Sequence, residues 1–397
     1  MALVTTTDVR LANLLKVYSA LRVGSPMTKR QLAKEVELTF ASVSSICNQL
    51  VDQGLARYEE ESIFTGGRKA IAVEFVPEYA YALVLDMHHT EYIAMALVDL
   101  ANTIVKTKRM SLPDSLTIEG LMDSIRSCSQ SLLAECEGHL YCLSVGVSAV
   151  YNEQSKILLQ ASNPLLERVN LAMHLQSVFP NLPVLIENDA NLAAFSQLDP
   201  FKPGHKNQLF VFFTQGIGLG IIIDGELYRG SHGFAGELGH LKLTGVDRKC
   251  SKCGNNGCMR TVVPLAAIAR DLGEYEQLRQ MGSLAYCDTL LSRLKDHEIS
   301  ERIEYTAQKI GEVLAEMFDV LNPDQIILGG NNWKLYPVMS KTIRQTCRQL
   351  SNLAREVDIQ IQFVSEPIND LIFKGAGEKA FRFFTASGIT GLELVEL

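Results

Sequence analysis

Hydrophobic residues recur at helical spacing through the first 35 residues of the chain. Residues 8–23 place leucine and tyrosine side chains along one helix face, with Asp8 as the expected N-cap. A second helix is predicted to begin after Thr28, where Gln31 completes a capping-box pattern. Glycine, serine and proline separate the two segments, so two distinct helices are expected.

A third helix is predicted to begin at Thr39 or Ala41 and to stop at Gly54. One of its faces is apolar, and the other carries serine, asparagine and glutamine. The segments 56–60 and 70–75 then alternate between apolar and polar residues and predict a β-hairpin. Three helices followed by a two-stranded wing indicate a winged helix-turn-helix domain over residues 1–76.

From residue 77 the pattern changes to short buried strands followed by long helices, and this order occurs twice. In the first half, a strand is expected to run into a helix whose first turn holds Asn188 and Asp189. In the second half, Asp224-Gly225 predicts a hairpin turn, and a last helix is expected from Lys374. The duplicated order predicts an actin-like α/β fold of two lobes, 77–200 and 201–397, with a ligand cleft between them.

Composition indicates a globular, cytoplasmic protein. The chain has 397 residues, of which 47% are hydrophobic and 21% charged, and no apolar run is long enough to span a bilayer. Its first residues do not resemble an export signal. Nine cysteines without regular pairing fit a reducing compartment better than a disulfide framework.

Charge is distributed unevenly along the chain. Residues 1–75 hold nine basic and eight acidic residues, a net charge of +1, whereas the remainder holds 28 and 37, a net charge of −9. Any contact with nucleic acid is therefore expected in the first 75 residues.

The third predicted helix would enter a major groove, where short polar side chains reach base edges. A helical docking module with a solvated polar face is the structural alternative. The residues expected on DNA are Lys29 and Arg30 over phosphates, Ser42, Ser44, Ser45 and Asn48 at base edges, and Arg68 and Lys69 in a minor groove.

One histidine and three cysteines occur at metal-ligand spacing. Nine residues separate His240 from Cys250, two separate Cys250 from Cys253, and four separate Cys253 from Cys258. A Cys3His set fills the tetrahedral shell of Zn2+, so the sequence predicts a structural zinc ion that holds a loop. Unrelated thiols near a histidine are the alternative.

These motifs resemble those of the ROK family, which contains bacterial sugar kinases and sugar-responsive repressors. The resemblance is carried by GELGH at 236–240, CGNNGC at 253–258, ENDAN at 187–191 and PDQIILGG at 323–330. Gly375-Ala376-Gly377 resembles a turn that opens the family's last helix. The leading winged helix is similar to that of the repressor branch.

The resemblance implies a sugar pocket lined by Asn163, Asn188, Asp189, Glu237 and His240. In kinase members the residue equivalent to Asp189 is the base that takes the proton of the attacking hydroxyl. Here Asp189 would be a vestigial base, and a helix N-cap is its structural alternative. His240 would bind zinc through one ring nitrogen and a sugar oxygen through the other.

Two departures from the kinase pattern predict a protein that is not an enzyme. Kinase members carry an Asp-x-Gly-Gly-Thr phosphate turn, whereas this chain has His88 and His89 between Asp86 and Thr90. Two imidazoles would fill the phosphate space and lack the backbone freedom of glycine. The second phosphate loop, at 214–220, keeps three glycines but matches only in part.

Another departure concerns the ligand. Family members commonly have a glutamate where this chain has Arg260, and the arginine would either suit an anionic ligand or pair with Glu237. The sequence therefore predicts a repressor of carbohydrate genes that binds operator DNA as a homodimer or tetramer, with a sugar or sugar phosphate as effector. An active ATP-dependent sugar kinase with a DNA-binding domain, and a regulator controlled by a sugar-transport protein, are the alternatives.

Overall fold

A computed structural model describes residues 6–59, 71–113, 116–134, 136–198, 206–357, 359–387 and 394–396. In these ranges the α-helices are α1 (Thr6–Gly24), α2 (Lys29–Glu35), α3 (Phe40–Asp52), α4 (Ile118–Leu133), α5 (Leu171–Val178), α6 (Asp189–Phe195), α7 (Leu265–Asp271), α8 (Tyr275–Met281), α9 (Ser283–Ser292), α10 (His297–Leu321), α11 (Tyr336–Leu350) and α12 (Ile368–Ala386). None of them is both long enough and apolar enough to cross a membrane.

The strands of the same ranges form four sheets. They are β1 (Met27–Thr28), β2 (Ala56–Tyr58), β3 (Ala72–Phe75), β4 (Tyr81–Met87), β5 (Tyr92–Asp99), β6 (Ile104–Ser111), β7 (His139–Val147), β8 (Val150–Asn152), β9 (Ile157–Leu159), β10 (Val184–Asn188), β11 (Gln208–Phe213), β12 (Ile217–Ile223), β13 (Glu226–Leu227), β14 (Gln325–Gly330), β15 (Gln360–Phe363) and β16 (Val395–Glu396).

The chain divides into two compact units. The first takes in Met1–Gly146, Asn170–Ile186 and Ala376–Leu397, and the second takes in Val147–Val169 and Glu187–Gly375. The division into domains at residues 76 and 200 stays a prediction.

The first unit opens with three helices and a small antiparallel sheet of order β1-β3-β2. The capping box of α2 is confirmed, since Thr28 Oγ1 accepts from the backbone of Gln31 and the Gln31 side chain accepts from the backbone of Thr28. Thr39 caps α3 as predicted. Asp8 as N-cap is wrong, because α1 already begins at Thr6.

The main sheet of the first unit has the order β10-β7-β4-β5-β6, with β16 also paired to β7. Strands β4, β5 and β6 form an antiparallel meander. All seven residues of β4 are buried, whereas β6 at the end of the order alternates between half-buried and exposed side chains. This difference follows the positions of the two strands in the sheet.

The second unit has a mixed sheet of order β13-β12-β11-β14-β15, antiparallel at β11–β12 and parallel at β11–β14 and β14–β15. The predicted hairpin turn at Asp224-Gly225 is confirmed, and both residues have positive φ, 54° and 79°. Helices α10 and α11 contribute buried residues to the apolar core beside this sheet. Helices α8 and α9 are separated by the single residue Gly282.

The last helix begins earlier than predicted. Helix α12 starts at Ile368, so Gly375-Ala376-Gly377 lies inside it and does not open it. The glycines are required by packing: a methyl group at Gly375 would lie 1.8 Å from the carbonyl oxygen of Leu192. One at Gly377 would lie 2.1 Å from Asn102 Oδ1.

Candidate functional site

His240, Cys250, Cys253 and Cys258 converge in the second unit, as their spacing predicted. Their ligand atoms all lie within 4.8 Å of one another. Cys253 Sγ is 3.5 Å from Cys258 Sγ, and Cys250 Sγ is 4.0 Å from His240 Nδ1. A tetrahedral ion with bonds of about 2.0–2.3 Å places its ligands at such separations. The four residues therefore fit a metal ion.

The loop around these ligands is folded by short backbone contacts. The N–H of Cys250 donates to the carbonyl oxygen of Asn255, and Gly257 adopts a φ of +82° close to the carbonyl of Val246. Lys242 Nζ lies 3.1 Å from Cys258 Sγ. A hydrogen bond from the backbone of Asn255 is the main cause that lowers the pKa of the exposed Cys253 thiol to about 7. A site that favours thiolate favours metal binding.

Asp189 is placed by the strand-to-helix junction of β10 and α6. Asn188 caps α6 by accepting from the N–H groups of Ala190 and Asn191, so the N-cap is Asn188 and Asp189 is the first helical residue. The Asp189 side chain is buried, with 5% exposed. The expected alternative role of Asp189 as N-cap is therefore wrong.

Strand β12 packs directly against α6 at two glycines. A methyl group at Gly218 would lie 2.6 Å from the Ala190 side chain, and one at Gly220 would lie 2.4 Å from the Ala194 side chain. Two of the glycines in the second phosphate loop are thus strand residues that admit the helix. This packing brings Asp189 up to the start of β12.

The segment that follows β13 places Glu237 near Asp189 and β12. Gly236 has a φ of +91° and accepts through its carbonyl from the N–H of Leu219 in β12. Glu237 is an exposed residue. Partial desolvation raises the pKa of Glu237, the charge of Asp189 raises it further, and Arg260 opposes the rise. Asp189, Glu237 and Arg260 therefore act on one another.

Arg260 follows the last cysteine ligand by two residues. A methyl group at Gly239 would lie 3.5 Å from Arg260 Cβ, and one at Gly216 would lie 3.7 Å from Arg260 Nη2. The side chain therefore runs from the His240 turn to the turn between β11 and β12. Burial lowers the pKa of His240, and Arg260 and two lysines lower it further.

Asn163 and Asn188 use their side chains in local structure. Asn163 Oδ1 accepts from the N–H of Leu165, and Asn188 Nδ2 donates to the carbonyl oxygen of Ala149. The hydroxyls of Ser148 and Ser162, the residues before Ala149 and Asn163, lie 3.0 Å apart. The structure thus connects both asparagines to one loop at 148–149, and their role as sugar contacts stays a prediction.

An ion pair between Arg229 and Glu187, beside this site, was not predicted from the sequence. Arg229 Nη2 lies 2.5 Å from Glu187 Oε2, and Asn191 Nδ2 donates to Glu187 Oε1. Glu187 is buried, with 4% exposed. Its partner is 42 residues away in sequence, and no motif joins the two.

The residues in place of the phosphate turn form a compact cluster in the first unit. His88 Nδ1 lies 2.5 Å from Asp86 Oδ1, and Asp86 is fully buried. The ring of His89 lies between those of His88 and Tyr92, with centroids 3.6 and 4.0 Å away, and is stacked on that of Tyr92. Burial, and then His88, lower the pKa of His89 to about 3. The imidazoles fill space that glycines would leave open.

The polar surface of α3 forms hydrogen bonds with Lys29 of α2. Lys29 Nζ donates to Asn48 Oδ1 at 2.9 Å and to Ser44 Oγ at 3.3 Å. Tyr58 OH donates to the same Asn48 oxygen. Among the other residues expected on DNA, Arg30, Ser42 and Ser45 are exposed, whereas Arg68 and Lys69 lie outside the described residues.

Repressors appear among the curated relatives. The chain is 27% identical over 343 residues to the xylose repressor of Bacillus spizizenii (strain ATCC 23059 / NRRL B-14472 / W23), covering 85% of this chain and 87% of that one. It is 25% identical over 333 residues to the DNA-binding transcriptional dual regulator NagC of Escherichia coli (strain K12), covering 81% of each.

Solved structures show the same fold. A ROK family transcriptional regulator, a homologue of the Escherichia coli MLC protein, superposes with a TM-score of 0.78 at 21% identity, over 95% of this chain and 97% of that one. The ROK hexokinase of Thermus thermophilus gives 0.62 at 20% identity, over 75% and 97%. The ROK family profile matches residues 85–366. The chain belongs to the ROK family.

Proposed function

We propose that this protein is a sugar-responsive transcriptional repressor of carbohydrate genes. The observation that carries the proposal is the N-terminal helical head, α1–α3 with the β1-β3-β2 sheet, in front of a ROK fold. A relative named as a xylose repressor and one named as a DNA-binding transcriptional dual regulator match over more than four fifths of the chain, which supports this function.

The head is a winged helix-turn-helix, and α3 is its recognition helix. Helix α3 carries no basic residue of its own, so a phosphate-neutralising charge has to come from outside it. Lys29 supplies that charge from α2, over Ser44 and Asn48. The exposed Arg30, Ser42 and Ser45 complete the surface offered to DNA.

A sugar effector binds in the second unit, at Asp189, Glu237 and His240, with Asn163 and Asn188 nearby. Carboxylates accept from sugar hydroxyls, and an imidazole held by a metal has a fixed orientation. The metal is a structural Zn2+, because three thiolates and one imidazole leave no open position for water. Zinc thus holds His240 beside the sugar and does no chemistry.

The protein regulates and does not transfer phosphate. Phosphoryl transfer depends on backbone N–H groups and cations that position the phosphates. Here His88 is folded onto Asp86 and His89 is stacked against Tyr92, so the turn is packed by side chains. Of the residual glycines, Gly218 and Gly220 are used to admit α6.

Operators with two-fold symmetry are read by symmetric dimers, so the protein acts as a homodimer or as a tetramer of such pairs. Sugar binding favours one arrangement of the protein and thereby shifts the population that binds DNA. A sugar-transport protein as a further partner stays a prediction.

Selection of bound duplexes from a random pool, followed by gel-shift titration, tests the proposal. Full-length protein should enrich a palindromic sequence, and at least one sugar should change the affinity by about tenfold or more. A Lys29→Met variant should lose affinity. A pool without enrichment, or an enriched duplex that responds to no sugar, would contradict the proposal.

The second candidate function is an ATP-dependent sugar kinase with a DNA-binding head. Its support is Asp189, a buried carboxylate at the start of α6. A coupled ADP assay with hexoses, pentoses and N-acetyl sugars distinguishes the two. Turnover that is lost in Asp189→Asn would establish the kinase, and absence of turnover would leave the repressor.

A further inference from the structure

The guanidinium of Arg260 makes no hydrogen bond or ion pair with another described residue. Within the described ranges it takes part in no hydrogen bond and no ion pair, although the side chain is half-buried. An arginine has five N–H donors, and a half-buried one normally finds acceptors for several of them. The pairing with Glu237 that the sequence allowed is not formed, since no oxygen of Glu237 lies within 4.0 Å of it.

The position of Arg260 is fixed by its surroundings. The N–H of Met259 donates to the carbonyl oxygen of Leu241, and Cys258, two residues earlier, is one of the metal ligands. The side chain lies along Gly239 and ends over Gly216, where a methyl group would already be in van der Waals contact. The donors are therefore held at one end of the site rather than free on a long flexible stem.

The other end of the site carries the opposite charge. The carboxylate oxygens of Asp189 and Glu237 are hydrogen-bond acceptors, and the Glu237 side chain makes no hydrogen bond with a described residue. Hydroxyl groups satisfy such acceptors. The guanidinium has only donors, and the anions that match its paired N–H groups best are a planar carboxylate and a tetrahedral phosphate.

We infer that the effector is an acidic sugar, whose carboxylate or phosphate is bound by Arg260 while its hydroxyls are bound by Asp189 and Glu237. This inference rests on the proposed function and adds the charge of the ligand to it. Arg260 is then the residue that separates acidic from neutral sugars.

Calorimetric titration of full-length, zinc-loaded protein tests the inference with matched ligands. The probes are glucose, glucose 6-phosphate, glucuronate and gluconate, together with xylose and N-acetylglucosamine and its 6-phosphate. At least one acidic sugar should bind about tenfold or more tightly than its neutral counterpart. The phosphate and carboxylate arms identify which anion the site takes.

Variants locate the effect. Arg260→Gln should reduce affinity for the acidic sugar about tenfold or more and affinity for the neutral sugar much less, and Arg260→Lys should keep part of the preference. Arg279→Gln, on the exposed surface of α8, is the matched control and should behave as wild type. An equal loss for acidic and neutral sugars would point to a structural role and overturn the inference.

The two proposals fail in different ways. Operator binding that responds to neutral sugars alone overturns the acidic effector and leaves the repressor in place. Operator binding that responds to no sugar overturns both. An acidic preference that survives in Arg260→Gln overturns the role of Arg260.

Discussion

Single side chains determine what each of the two sites can do. His88 contacts the buried carboxylate of Asp86, and His89 is stacked on Tyr92. In the second unit, Arg260 adds a cation beside Asp189 and Glu237. Under the proposed function, the first change would remove a phosphate site, and the second would change the charge of the sugar site.

His89 should make stability depend on pH. Its pKa is about 3 in the folded protein, below the value of about 6.5 expected when unfolded, so the unfolded state binds the extra proton between these values. Stability is then complete above pH 6.5 and falls as the pH drops below it, by about 1–2 kcal/mol at pH 5. Urea unfolding at pH 7 and pH 5 measures this.

His89→Phe keeps a stacked ring and removes the titrating group. Its loss of stability between pH 7 and pH 5 should be smaller than that of wild type. Equal losses would show that the surroundings of His89 do not hold it neutral.

The four metal ligands should hold one zinc ion per chain. Cys250→Ser removes a ligand, so bound zinc should fall from about one equivalent to none, with a lower melting temperature. Elemental analysis of dialysed protein measures the metal. Cys136→Ser, far from the loop in sequence, should retain its zinc; wild-type protein without metal would contradict the assignment.

The sequence predicted the metal ligands because all four belong to one short segment with characteristic spacing. It did not predict Glu187 with Arg229, nor Lys29 over Asn48, because pairs that form through tertiary packing leave no local pattern. The sequence marks Arg260 as a departure from the family, but whether it pairs with Glu237 depends on tertiary packing, and in the structure the two side chains form no ion pair.

At the scale of elements, α6 and β12 pack closely against each other. The strand presents two glycines to the helix, and this contact sets the depth of Asp189 relative to the strand. Elements with clear caps were predicted correctly, such as α2 at Thr28. The start of α12 was not, because glycines in its middle were interpreted as a turn when they serve close packing.

Gly220→Ala should destabilise the second unit. The added methyl group would lie 2.4 Å from Ala194 Cβ and 2.6 Å from the carbonyl oxygen of Ala190, so helix and strand must separate. A cost of about 1–3 kcal/mol in the free energy of unfolding is expected. Arg279→Gln, on the exposed surface of α8, is the reference, and a cost in Gly220→Ala no larger than that of this surface change would contradict the packing.

Lys29 should account for one phosphate contact of the head. Lys29→Met should weaken DNA binding and reduce the slope of log affinity against log salt by about 1. Lys16→Met changes an exposed lysine of α1 and serves as control. Equal salt slopes for both variants would remove Lys29 from the DNA surface.

At the level of the whole molecule, a buried ion pair in the first unit joins α1 to α12. Arg22 of α1 donates to the carbonyl oxygen of Leu100 and pairs with Glu378 of α12 at 2.9 Å, and its guanidinium lies over the ring of Phe381. The exposed fractions of the Arg22 and Glu378 side chains are 10% and 9%. The helical head is thereby anchored to the last helix.

Removing one partner of this pair should be costly. Glu378→Gln leaves a buried guanidinium without its counter-charge, so a loss of about 3–5 kcal/mol in the free energy of unfolding is expected. Asp123→Asn breaks the exposed pair with Arg126 and should cost less than about 1 kcal/mol. Urea unfolding of both variants measures the difference, and similar costs would contradict the anchoring role.

Operator binding and phosphate transfer can be measured in the same sample. Fluorescence anisotropy of a labelled operator duplex is followed as sugars are added to full-length protein in the presence of ATP and Mg2+, while ADP formation is monitored in the same sample. An acidic sugar should change operator affinity by about tenfold or more with no ADP formed. Sugar-dependent ADP formation, or an affinity that no sugar changes, would contradict it.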